Sequence, residues 1–117
     1  MRPDEWRNRG RSFVYRGHRV FYRRTGHGES LVLIHGFPTA SWDWHKLWHE
    51  LGQRFDVVAP DMLGFGFSDK PRDYDYSLVD QATLHETLLA ELGISSVHIL
   101  AHDYGDSVAQ ELLARHA

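Results

Sequence analysis

The sequence predicts an α/β domain, a twisted and largely parallel sheet with helices on both faces. Three observations predict it. Two short, predominantly apolar runs, Leu31-Val32-Leu33-Ile34 and Val97-His98-Ile99-Leu100-Ala101, suit strands covered on both faces. Helical spacing appears between and after them, as Leu78, Ala82, Leu89, Leu92 and again as Val108, Ala109, Leu112, Leu113. The strand-to-helix junctions carry Gly, Asp and Ser, which punctuate loops and cap helices.

Taken in order, residues 1–10 are polar and read as a flexible N-terminus, with one domain from 11 to 117. Ser12 to Arg16 and Arg19 to Arg24 alternate apolar and polar about Gly17-His18, an antiparallel hairpin at a sheet edge. Residues 25–29 form a turn before the strand Ser30 to Ile34. His35-Gly36-Phe37-Pro38 is a loop, followed by a helix that Ser41 caps, Trp44, Leu47, Trp48 and Leu51 face inward, and Gly52 closes. Phe55 to Pro60 is the next strand, and residues 61–69, with Gly64 and Gly66, form a loop. Ser77 caps a long helix with Asp80 in its first turn, and Gly93 stops it. Ile94-Ser95-Ser96 leads to the last strand, and the chain turns sharply at His102-Asp103-Tyr104-Gly105 into a final helix.

Composition narrows the function. Forty-two per cent hydrophobic and 25% charged residues describe an ordinary globular chain. The net charge of −3 is split: residues 1–24 hold eight arginines against Asp4 and Glu5, +6, while the remainder is −9. No aromatic–basic signature accompanies the arginines, so they are read as solvent-facing positions of edge strands and no nucleic-acid partner is expected. The absence of cysteine excludes disulfides and thiolate metal sites. No apolar run reaches the ~20 residues of a membrane span, and the first residues lack the apolar core of a secretion signal, so the expectation is a cytoplasmic protein without a membrane span. His45 and His49 stand at i, i+4, but no third ligand is evident, and no metal or other cofactor is expected.

In α/β sheets ligands gather beyond the carboxyl ends of parallel strands. Here those ends are His35-Gly36-Phe37-Pro38 and Asp103-Tyr104. A strand entering a helix through a tight corner flanked by small residues, Ala101 and Gly105, strains its corner residue and thrusts it out of the sheet. That residue is Asp103, and its bland alternative role is a helix cap. The backbone amide of Tyr104, paired with that of Phe37, would give two donors for one oxyanion; Pro38 has no N–H. Asp103, Phe37 and Tyr104 are the candidate catalytic residues, and His35 and Trp42 the candidate substrate-binding ones.

His35-Gly36-Phe37-Pro38, Asp61-x-x-Gly64-x-Gly66-x-Ser68 and His102-Asp103-Tyr104-Gly105, in this order, resemble the α/β-hydrolase fold family, in the branch with an Asp nucleophile. That branch contains epoxide hydrolases and haloalkane dehalogenases. The resemblance implies a small-molecule substrate, no cofactor, an alkyl-enzyme ester on Asp103, and hydrolysis by water. Dehalogenases usually carry Asn where this chain has Phe37 and Trp where it has Tyr104, so epoxide hydrolysis is preferred. Asp106 stands where the family has a small residue, and a second carboxylate there is expected to raise the pKa of Asp103 if the side chains approach. The family's base His, its acidic partner and its cap come later than any residue here. The expectation is therefore the N-terminal half of a hydrolase core, with cap and C-terminal half absent, inactive alone. The alternatives are a dehalogenase and a catalytically silent interaction protein.

Overall fold

The computed structural model describes residues 1–116. Its five-stranded sheet has the order β1-β2-β4-β3-β5. β1 (Arg11–Tyr15) and β2 (His18–Thr25) form the expected hairpin, joined through Arg16 (φ 50°) and Gly17 (φ 81°). Two consecutive positive φ values match the right-handed twist of the flanking strands. β2 pairs antiparallel with β4 (Asp56–Pro60), whereas β3 (Ser30–Ile34) lies parallel between β4 and β5 (His98–Ala101).

β3 explains its own composition. Leu31 and Leu33 face a core with Trp6, Trp44 and Trp48. Val32 and Ile34 face the other, with Ala82, Leu89, Val108 and Leu112. From Leu31 to Ile34 neither face meets water, and all four residues are apolar. α3 (Leu78–Glu91) and α4 (Tyr104–Arg115) cover that second face. The cap read from the sequence is present: the Asp80 amide donates to Ser77 Oγ at 3.0 Å. β5 differs from the buried strand expected: it pairs on one side only, and His98 and Leu100 are exposed.

Two further expectations are corrected. Within residues 1–10, read as a flexible arm, Pro3–Asn8 form α1 and Trp6 is completely buried. Its indole packs edge-on against Trp48 at 4.8 Å and donates to Ser41 Oγ at 3.0 Å. One large aromatic anchors the segment, a signal that periodicity does not register. The helix expected from Ser41 to Gly52 is broken into a 3₁₀ turn (Ser41–Trp44) and the short α2 (Trp48–Gly52). Ser41 is buried and is not a cap, because its amide donates to Asp61 Oδ1 at 2.7 Å and its hydroxyl accepts from Trp6. The tighter turn shifts the phase, so Trp44 and Trp48 stay inside while Leu47 faces solvent.

Candidate active site

The carboxyl ends of β3, β4 and β5 each release a loop on the same side of the sheet. β5 ends at Ala101, the His102 amide still bonds the Ile34 carbonyl at 3.2 Å, and α4 starts at Tyr104. Asp103 is the single residue of the corner and has φ 57°, ψ −123°. A non-glycine residue there is strained, and its side chain is held out of the sheet, exposed. Two glycines make the corner possible. A Cβ on Gly105 would lie 2.3 Å from the Ile34 carbonyl oxygen, and one on Gly36 would lie 2.7 Å from Asp103 Cβ. Only glycine lets the loop after β3 and the start of α4 close on each other.

That closure brings together the three candidate catalytic residues. The Tyr104 amide donates to Asp103 Oδ1 at 2.6 Å and the Phe37 amide donates to the same oxygen at 3.3 Å. Two amides, one from the loop after β3 and one from the first residue of α4, converge on one point, and no side chain or amide among the described residues donates to Oδ2. These bonds stabilise the ionised form, so the Tyr104 amide first and the Phe37 amide second hold the carboxyl below its usual pKa. His102 lowers it further by its charge. Asp106 does not raise it as expected: that side chain faces Gln110, whose Nε2 donates to it at 3.4 Å.

His35, expected to bind substrate, lies inside the protein. It is completely buried, and its Nε2 accepts the Met62 amide at 2.9 Å while Nδ1 meets the Gly36 carbonyl at 2.7 Å. An amide can only donate, so Nε2 is the acceptor and Nδ1 carries the proton. Burial pushes the imidazole pKa down and keeps it neutral. His35 thus ties the loop after β3 to the loop after β4. Trp42 is also displaced from its expected role. It stacks on His45 at 3.9 Å and packs against the Trp6–Trp44 core, away from the cleft beside Asp103.

That cleft encloses about 620 Å³ and is bounded by Phe37, Pro38, Phe65, Tyr76, Gln81 and Tyr104. Its walls are largely aromatic, with the amide of Gln81 and the ammonium of Lys70 at the margin. Burial raises the pKa of the Tyr104 phenol, which stays protonated at neutral pH. Gln81 and Tyr76 were missed in the sequence. The signal for Gln81 was a polar residue on the inward stripe of α3, where its Nε2 donates to the Leu63 carbonyl at 2.9 Å.

Asp61 was quoted only as part of a motif, yet it organises the third loop. It is fully buried, accepts from the Ser41 amide on one oxygen and from the Phe67 amide on the other at 2.8 Å, and its carbonyl takes the Ser68 hydroxyl at 2.6 Å.

A mixed sheet whose β4, β3 and β5 run parallel, with α3 and α4 on one face, is compared with known proteins. The sequence profile of the alpha/beta hydrolase fold matches residues 29–117. The chain belongs to the α/β-hydrolase fold family. It is 51% identical over 118 aligned positions to the mouse mesoderm-specific transcript protein, covering 95% of this chain and 35% of that one. An alpha/beta hydrolase fold protein from Burkholderia ambifaria superposes with TM-score 0.81 at 41% identity, covering 85% of this chain and 36% of that chain. The epoxide hydrolase CorEH superposes with TM-score 0.86 at 33% identity, covering 91% of this chain and 37% of that chain. The chain thus spans about a third of the length of these relatives.

Among the described residues no helix is long and apolar enough to cross a membrane.

Proposed function

We propose that Asp103 is the nucleophile of an epoxide-hydrolase-type reaction in the whole protein, and that the amides of Phe37 and Tyr104 are its oxyanion hole. One observation carries the reading: both amides meet on Oδ1 of an exposed carboxylate at a strained corner, leaving Oδ2 free. A cap needs only the Tyr104 bond; the Phe37 bond, reaching across 66 residues, is surplus to capping.

The chemistry follows from the charge. A carboxylate attacks without a base, unlike a serine hydroxyl. Oδ2 donates a lone pair to an epoxide carbon, the C–O bond of the ring breaks, and the released oxygen takes a proton to become a hydroxyl. The product is an alkyl ester of Asp103. Water then adds to Cγ, negative charge grows on Oδ1, and the amides stabilise it where it develops. Collapse expels the diol and leaves one water oxygen in the carboxylate. The family resemblance assigns the base for that water to a His later than any here. His116 is not that residue, since it lies just past α4 and pairs with Glu86 at 2.9 Å. The aromatic cleft suits a small apolar epoxide.

The test is a single turnover of styrene oxide by the full-length protein in heavy-oxygen water. The expected result is label in the Asp103 side chain and an unlabelled diol. A labelled diol with unlabelled Asp103 would mean direct attack by water and would overturn the proposal.

A further inference from the structure

The sheet has a second charged place, on β2 beside the Trp6–Trp48 core. Arg23 lies on β2 and is 5% exposed, yet no carboxylate among the described residues pairs with it. Its guanidinium packs against two touching indoles, 4.3 Å from the Trp6 ring and 5.0 Å from the Trp48 ring. Nη1 reaches only the Trp6 carbonyl, at 3.4 Å, and Nε is buried with no partner. Stacking on aromatic faces offsets part of the cost of burying a cation, but it supplies no hydrogen-bond acceptor. Arg24, the next residue, shows the contrast: it holds Asp56 through two bonds, at 3.0 and 2.9 Å.

Arg23 lines a cleft of about 390 Å³ whose other walls include Arg9, His45, His49 and Gln53, and which contains no acidic residue. The Arg9 charge reaches Arg23 and, after burial itself, holds its pKa down. Two guanidinium groups therefore face one cavity with nothing to neutralise them. The cleft lies where Thr25 of β2 pairs with Val57, near the amino end of β4 and away from the loops that carry Asp103.

We propose that this cleft binds a phosphate group, as a phosphate monoester or free phosphate, on Arg23 and Arg9. The guanidinium of Arg23, held in place by burial, and that of the exposed Arg9 beside it match a compact dianion better than a single planar carboxylate. His45 and His49 supply further polar edges.

The test follows melting and amide chemical shifts of the protein as inorganic phosphate is added, with chloride at equal ionic strength as control. Phosphate is expected to raise Tm beyond chloride and to move amide signals at Arg9, Arg23, Gly26 and His49. Arg23→Met preserves the apolar stem against the indoles and is expected to abolish the effect. Arg9→Gln, at an exposed position, weakens it roughly tenfold, consistent with loss of a charge-assisted bond. If Arg23→Met does not fold, Arg9→Gln and the shift map decide alone. Equal effects of phosphate and chloride, shifts centred elsewhere, or an unchanged response in either variant would overturn the assignment. Phenyl phosphate separates the sources: tighter binding than inorganic phosphate supports a monoester, and equal binding supports the free ion.

Discussion

Asp61 and Asp103 both follow a parallel strand and both accept backbone amides, yet they are opposites. Asp61 is fully buried and each of its carboxylate oxygens takes one amide, from Ser41 and from Phe67. Asp103 is exposed and gives both of its amide bonds to a single oxygen. A carboxylate with every oxygen engaged is a fastener: it holds the 3₁₀ turn to the loop after β4. A carboxylate with one oxygen engaged and one free is oriented without being consumed. The same side chain is fastened at both oxygens or left with one free according to how the amides are shared between them.

The largest way to break that contrast is Asp103→Asn in the full-length protein. Epoxide turnover is expected to fall by about 10³-fold or more, as when a nucleophile is removed, while folding is retained. Diol release and a urea midpoint measured on the same sample would separate the two. Asp61→Ala reverses the pattern. It strands two buried amides at a cost on the order of 2–5 kcal/mol, read as a lowered urea midpoint. An Asp61→Ala protein as stable as wild type would remove its role as a fastener.

Smaller changes sharpen the difference. Asp103→Gly relieves the positive φ at the corner and loses the side-chain cap at a cost of only about a few tenths of a kcal/mol, so Tm is expected to rise by a few degrees while turnover disappears. The opposite sign of stability change at the two aspartates is the point of the pair. Smallest is the titration of Asp103. Its folded pKa lies below the ordinary 3.8, so the stability it contributes is present above 3.8 and is lost as pH falls through the lower, folded value. A carboxyl ¹³C titration checks it, and an Asp103 midpoint at or above 3.8 contradicts the amide pairing.

What could be read from the chain follows the range of the forces involved. β3 was legible because burial on both faces leaves a continuous apolar run, and α3 because Ser77 and Gly93 act on their own neighbours. The corner at Asp103 was legible because the close approach demanded Gly105 within two residues of it. Interactions across the sequence left no local mark. Trp6 orders α1 through Ser41, 35 residues away, and Asp61 sets the 3₁₀ turn from 20 residues away. His35 and Trp42 sat beside the predicted site in sequence, but their side chains point elsewhere, one into a loop-to-loop bond and the other onto His45. Adjacency in sequence did not say which way either side chain points.

The resting carboxylate already fills the two-amide cradle with its own Oδ1. An incoming acid finds those donors taken and meets like charge at the free oxygen, so carboxylic acids are poor occupants of this cleft. A neutral group that donates an N–H or O–H meets the free oxygen without that repulsion.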